Sequence, residues 1–337
     1  MRVAILCQEE PLFLGPFLQG VMRHSPHRVA ALLVAGRRTG GERSKTWKQF
    51  WKALTIYWLI FEPWGFLRLM VRSIRAYLLG AVDPYSVTGL AMRLGIPVYH
   101  VGDPNDEEFH NLLRAIDPDV VLNQSELLLK PPVLAIPRRG FVNRHASLLP
   151  YYRGRMASFW AHATEPPQYA VTIHFVDEGI DTGDIILQQE FPEIDPRWSY
   201  PDVMDHIQKR APAIFWRAIA LISDPAFTPT PQTPVDAPKV FPKLRDAEAY
   251  RETLAARREG RPRKPRAGAC DEGDPGAAGA GARDEAEPGT PGAGARDEAE
   301  PGTPGAGARD EAEPGTPGAG ARDEAEPEKP VDPAGES

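Results

Sequence analysis

Between Arg2 and Leu122, short apolar runs containing β-branched residues alternate with stretches patterned for helix, and this alternation restricts the fold more than any other feature. Arg2–Cys7, His27–Ala35, Pro97–Val101 and Asp119–Leu122 read as strands, with helices at Pro11–Arg23 and Asn105–Ile116. Runs that are apolar at successive positions bury both faces, as parallel strands do when helices cover the sheet on each side. We therefore expect an α/β fold, a doubly wound and mostly parallel sheet. Asp117-Pro118-Asp119 supplies a turn before the fourth strand. Phe141–His145, Tyr169–Val176 and Ile185–Glu190 continue the strands, and Tyr200–Ile222 is a helix that Pro212 should kink or divide.

This pattern stops well before the C-terminus. From Ala267 onward aromatic residues vanish, and a thirteen-residue unit, GARDEAEPGTPGA, recurs with Arg283, Arg296, Arg309 and Arg322 marking its copies. A repeat without large apolar side chains cannot offset the entropy of ordering itself, so disorder and a spacer role are expected there. We divide the chain into a domain at 1–222, with an aromatic helical insertion at 46–80, a short extension at 223–266 and the repeat tail at 267–337. The tail holds 5 basic and 18 acidic residues, −13 against −7 for the whole chain, which leaves residues 1–266 at +6. A mildly basic body suits an anionic ligand but lacks the dense stripe of a dedicated nucleic-acid binder. Two cysteines, Cys7 and Cys270, exclude a disulfide framework or a cysteine-rich metal site. The N-terminal strand is too short and interrupted for a signal peptide, so a cytoplasmic protein is expected.

Thr46–Leu79 is dense in tryptophan and large aliphatics, with Trp47, Phe50, Trp51, Leu54 and Trp58 at helical spacing. Lys52, Glu62, Pro63, Gly65 and Arg68 interrupt it, which argues against a transmembrane helix. Packing on the domain is the first reading. An oligomer or partner interface, and a membrane-surface helix presenting its arginines, stay open beside it.

The chemistry concentrates in Gly140–Glu190. Phe141–His145 should leave the sheet at a strand end, where α/β folds place their ligands. Residues two apart share a strand face, so Asn143 and His145 point one way and Arg144 the other, towards a locally exposed strand end by the first reading or a substrate phosphate by the second. Ser147-Leu148-Leu149-Pro150 and Arg153-Gly154 form a tight loop. Tyr169–Val176 carries His174, read as a packed strand histidine, as is His162 on its helix. Asp177–Asp184 is an acid- and glycine-rich loop before the last strand. Neither a serine-centred elbow nor a metal-spaced cluster is present, and no Gly-x-Gly-x-x-Gly follows the first strand.

The combination Asn143-x-His145-x-Ser147-Leu148-Leu149-Pro150, Arg153-Gly154 and Asp177-Glu178-Gly179-Ile180-Asp181-Thr182-Gly183 resembles the formyltransferase family, which acts on glycinamide ribonucleotide, methionyl-tRNA and sugar amines. The likeness is dense over 117–190 and fades over the rest of 1–222. It implies that Asn143, His145 and Asp181 surround a formyl group taken from 10-formyltetrahydrofolate and passed to an amine. An asparagine NH₂ and a protonated histidine would donate to the developing oxyanion, and the aspartate would favour that charged histidine and help relay the proton. The folate would lie against Leu122, Asn123, Gln124 and Ser125 and against Asp177, Glu178 and Gly179. Ser147, Leu148, Leu149, Pro150, Arg153 and Gly154 would form a substrate loop, and no metal is implied.

Departures from the family pattern bear on the acceptor. Arg144 replaces a small apolar residue, and the turn Gln8-Glu9-Glu10-Pro11 lacks the glycines of the methionyl-tRNA enzymes. The stretch between Ser223 and Ala267 is short for the β-barrel those enzymes use on tRNA, and its basic run, Arg257–Arg266, reads as a solvated helix end. The resemblance therefore points to a small amine, an amino-sugar nucleotide for example. A methionyl-tRNA acceptor, hydrolysis of the donor, and a non-catalytic folate-binding or interaction protein are the alternatives.

Overall fold

The computed structural model describes residues 1–8, 14–25, 28–36, 47–83 and 86–260, with backbone alone at 47–50. The turn at Glu9–Pro11, the basic run beyond Gly260, Cys270 and the repeat tail at 267–337 lie outside the described residues.

Seven strands form one sheet: β1 (Val3–Cys7), β2 (Val29–Ala35), β3 (Val98–Val101), β4 (Val120–Gln124), β5 (Phe141–His145), β6 (Ala170–Phe175) and β7 (Ile185–Glu190). Their order is β3-β2-β1-β4-β5-β6-β7. The first five pair in parallel, and β6 and β7 are antiparallel, so the sheet is mostly parallel as expected. The helices are α1 (Leu14–His24), α2 (Trp47–Leu79), α3 (Val87–Arg93), α4 (Glu107–Ile116), α5 (Pro131–Leu134), α6 (Ala157–Ala163), α7 (Tyr200–Leu221) and α8 (Leu244–Glu259).

Alternation along β1 shows why the sheet is covered twice. Val3, Ile5 and Cys7 pack with Phe17 and Leu18 of α1 and Phe215 of α7. Ala4 and Leu6 pack on the other face with Phe109 and Leu113 of α4. Each such leucine or phenylalanine contributes about 1.5–3 kcal/mol by leaving water. Local signals set the helix ends. Asp106 caps α4 by accepting from the Phe109 amide at 2.8 Å, with Glu107 and Glu108 in the first turn.

Pro212 does not divide α7, which runs unbroken from Tyr200 to Leu221. One lost hydrogen bond is offset by packing: a Cβ on Gly20 of α1 would come within 2.4 Å of the Pro212 ring, so glycine at 20 makes room for it.

The insertion behaves differently along its length. Its helix breaks at Glu62 (φ 58°, ψ 164°), immediately before Pro63, which disfavours helical backbone at the preceding residue. Before the break, Ile56, Ile60 and Phe61 are buried in a second core with Phe159, Tyr200 and Tyr250. The tryptophan stripe expected to carry this packing does not. Trp51 and Trp58 are half exposed, because Ile56 and Ile60 occupy the face that packs in this core. Trp47 and Phe50 lie outside the described side chains. By length and composition alone Trp51–Arg93 is long and apolar enough to cross a membrane, with a mean hydropathy of 1.2 in its most apolar window. The Glu62 break lies inside it. The Glu62 carboxylate is tied to Arg251 at 2.9 Å and to Arg258 at 2.7 Å, which joins the insertion to α8.

Candidate active site

The carboxyl ends of β4 and β5 lie side by side, with Asn123 opposite Asn143 in the ladder. Asn143 and His145 share the β5 face that Phe141 presents to α4, as the period of two requires. The antiparallel partner β6 sets His174 directly opposite Asn143. A cross-strand pair in register faces the same side, so the ladder delivers His174 to the cluster.

Asp181 completes the cluster from the loop between β6 and β7. Its Oδ1 lies 3.2 Å from Asn143 Nδ2 and 3.5 Å from His174 Nε2. Its Oδ2 accepts from the Gly154 amide at 2.8 Å and lies 3.4 Å from His145 Nδ1. Asp181 holds a left-handed backbone (φ 53°), as do Tyr152 (φ 55°) and Met156 (φ 56°) in the neighbouring turn. Such backbone costs about 1–3 kcal/mol where a non-glycine residue adopts it, and it persists where the surroundings enforce it. The enforcers here are identifiable. Arg153 donates to Ile180 O at 3.2 Å and to Asp236 O. Gln232 donates to Asp181 O at 3.3 Å, and Gly154 bridges to Lys239. The extension after residue 222 thus clamps both loops.

Hydrogen bonds fix the side-chain orientations. Gln124 Nε2 donates to Asn143 Oδ1, which turns the Asn143 NH₂ towards Asp181 and His174. His174 Nδ1 faces Phe175 O at 2.7 Å, and a carbonyl can only accept, so Nδ1 carries the proton. In the neutral ring Nε2 is then an acceptor, 3.3 Å from Asn143 Nδ2. His174, read from sequence as a packed strand residue, belongs to the polar cluster. The signal that finds it is the β5–β6 pairing, which local patterning does not contain.

The charges can be assigned. Burial opposes ionisation of Asp181, but the charges and hydrogen bonds from His145, His174 and the Gly154 amide outweigh it, and the carboxyl sits well below its usual range. Burial dominates at His145 and pushes its pKa below the ordinary value of 6.5, while Asp181 pulls the other way. Burial thus favours the neutral ring, and Asp181 favours the protonated ring that the family resemblance implies. It lies between two acceptors, Asp181 Oδ2 at 3.4 Å and Tyr152 O at 3.0 Å, so it is well placed to take up a second proton.

Arg144 departs further from expectation. It is only 9% exposed and is not at an open strand end. It lies on the same β5 face as Val142, with its guanidinium 4.6 Å from the centre of the Phe17 ring. The covering helices α1 and α7 bury it, which the strand sequence cannot reveal. A cation–π contact contributes about 0.5–2 kcal/mol, less than the several kcal/mol that desolvating an ion costs.

These residues open on a cleft of about 600 Å³, a size typical of small-molecule sites. Of the residues expected to bind folate, Asn123, Gln124, Ser125, Asp177 and Gly179 line it, and Leu122 and Glu178 do not. Leu127, Leu128 and Val176, which sequence reasoning missed, add an apolar wall. In the expected substrate loop only Gly154 lines the cleft. Ser147 and Leu149 are buried beneath it, where Thr172 Oγ1 donates to Ser147 O at 2.8 Å, and Arg153 is a tether. Among the described residues no group of three or more His, Cys, Asp or Glu could hold a metal ion.

Comparison with known proteins adds family to geometry. The family model described as formyl transferase matches residues 95–219. The chain is 40% identical over 107 residues to the methionyl-tRNA formyltransferase of Chlorobium limicola, covering 32% of this chain and 34% of that protein. It is 35% identical over 161 residues to that of Deinococcus radiodurans, covering 46% and 49%. The chain thus spans a third to a half of the length of the curated relatives it matches. Among solved structures, it is similar to a glycinamide ribonucleotide transformylase from Symbiobacterium toebii, with a TM-score of 0.44 and 21% identity over 66% of this chain and 87% of that chain. The segment that carries Asn143, His145 and Asp181 is thus the part of the chain that is similar to the formyltransferase family.

Proposed function

We propose that the chain transfers a formyl group from 10-formyltetrahydrofolate to the amine of a small molecule. The observation that carries this reading is the convergence of Asn143, His145, His174 and Asp181 at the end of β5, in a cleft of small-molecule size. The residues present fit the donor. Asn123 and Gln124 offer amide groups to a heterocycle edge, and Leu127 and Val176 offer an apolar face to its ring. When bound, the donor supplies an activated formyl carbon, and the chain's own residues do the rest. Asn143, its amide oriented by Gln124, would exchange one of its NH₂ contacts, to Asp181 Oδ1 or His174 Nε2, for the oxygen on which charge develops. Neutral His145 takes the proton released by the attacking amine and returns it to the departing folate nitrogen as its bond to the formyl carbon breaks, with ionised Asp181 stabilising the intervening imidazolium. His174, whose Nδ1 proton is committed to Phe175 O, holds Asn143 in place by accepting from its NH₂ at Nε2.

The homologues named as methionyl-tRNA formyltransferases favour charged tRNA as a second reading of the acceptor. The first two arginines of the basic run point elsewhere. Arg257 donates to His162 O at 2.9 Å and to Thr164 O at 2.8 Å, and Arg258 is paired with Glu62.

Calorimetric titration of the full chain with 5-formyltetrahydrofolate, a stable analogue of the donor, tests the donor assignment, and micromolar binding is expected. His145→Ala and Asp181→Ala should keep that binding and lose at least a hundredfold in turnover with a productive amine. Near-native turnover in either variant would overturn the catalytic assignment.

A further inference from the structure

The cleft continues around the end of β5 to the face that His145 does not occupy, where Arg144, Ser158, Tyr200 and Gln208 line it. Two buried polar groups there lack partners. Arg144 Nε and Gln208 Oε1 have no hydrogen bond, at 9% and 3% residue exposure. Among the described residues no carboxylate pairs with Arg144. Its guanidinium lies over the Phe17 ring and near Tyr200, whose hydroxyl is already bonded to Ser158 Oγ at 2.9 Å.

Buried arginines are ordinarily paired, because an unmatched cation away from water is costly. Arg144 stands next in sequence to both Asn143 and His145, so anything bound to it lies within one small molecule's length of the formyl-transfer groups. A guanidinium presents a planar fork that matches a carboxylate or phosphate with two parallel hydrogen bonds. Gln208 Oε1 can accept from a hydroxyl or amine of the same molecule.

We propose that Arg144 anchors an oxyanion, a phosphate ester or a carboxylate, carried by the amine that accepts the formyl group. The assignment rests on the formyl-transfer reading for the word acceptor, but the anion site stands or falls separately. It makes Arg144 a specificity-determining residue: amines without an oxyanion at the right reach should be poor substrates.

The test uses the full chain, with inorganic phosphate and sodium acetate as probes at fixed ionic strength and chloride as the control. One of the two oxyanions should bind in calorimetry and raise the melting temperature, and which one does so distinguishes phosphate ester from carboxylate. Arg144→Met should lower that affinity at least tenfold and leave 5-formyltetrahydrofolate affinity within twofold. Ligand-free Arg144→Met should also melt above wild type, because an unmatched buried charge has been removed. Failure of both probes to bind wild type, or equal binding by Arg144→Met, overturns the proposal. So does a lower melting temperature with unchanged affinity, which would make Arg144 a structural cation. If Arg144→Met does not fold, Arg144→Lys, which keeps the charge without the fork, decides on the same affinity ratio. Anion binding that depends on Arg144, in a protein that ignores the donor analogue, would keep the site and sink formyl transfer.

Discussion

His145 lies where burial and charge oppose each other, and the balance can be read from the pH dependence of turnover. Burial, His174 and Arg144 lower its pKa below 6.5, and Asp181 raises it. If the neutral ring accepts the amine's proton, kcat measured with saturating substrates falls as pH drops through the His145 pKa, at a midpoint below 6.5. Asp181→Asn removes the charge that favours the protonated ring, so the His145 pKa falls further. The residual activity of that variant should have its acid limb at lower pH than wild type. An acid limb that moved up, or stayed fixed, would exclude His145 as the base. Asn143, His145 and Asp181 were legible in the sequence because their types, order and spacing survive in one short segment. His174 was not, since its role depends on which β5 residue it faces across the ladder. The burial of Arg144 was equally invisible, being imposed by α1 and α7.

At the scale of elements, the active-site loops depend on a segment that belongs to no strand. Gly154 has φ 91°, and a Cβ there would lie 2.5 Å from Lys239 O and 2.9 Å from Lys239 N. Both atoms are backbone, so the clash cannot be relieved by turning a side chain. The Gly154 amide also holds Asp181 Oδ2. Gly154→Ala should therefore cost about 1–3 kcal/mol in urea unfolding, from strain and displaced backbone together. It should also reduce kcat more than a comparable loss of stability elsewhere, because the shift reaches Asp181. Native turnover in this variant would show that the 230–239 segment does not position the loop. The strands β5 and β7 match their expected bounds. The clamp was not legible in the sequence, because Thr230, Gln232 and Lys239 reach the site from irregular backbone without periodicity.

For the whole described molecule, the point where most layers meet is His162. It is fully buried on α6, and its Nδ1 is bonded to the Tyr169 hydroxyl at 2.7 Å. Its ring stacks on Tyr200 of α7 and packs against Tyr250 of α8. Arg257 closes the junction by donating to His162 O and Thr164 O and pairing with Glu165. Burial first, and then the charge of Arg257, hold the His162 pKa at about 3. The sign of the consequence follows from linkage. Above about pH 6.5 the ring is neutral both folded and unfolded, and it adds no pH dependence. Between about pH 6.5 and about 3 the unfolded chain binds a proton that the folded chain refuses, so stability falls as pH falls, by up to about 1.4 kcal/mol per unit. Carboxylates with lowered pKa values, Glu62 among them, tilt stability the same way, so the informative quantity is a difference between proteins. His162→Gln keeps an acceptor for Tyr169 without a titrating ring. It should be less stable than wild type at pH 7.5, through looser packing, and its melting temperature should fall less steeply from pH 6.5 to pH 4.5. Parallel slopes for the two proteins would mean that His162 is protonated in the folded state and that the tyrosine junction tolerates a charge.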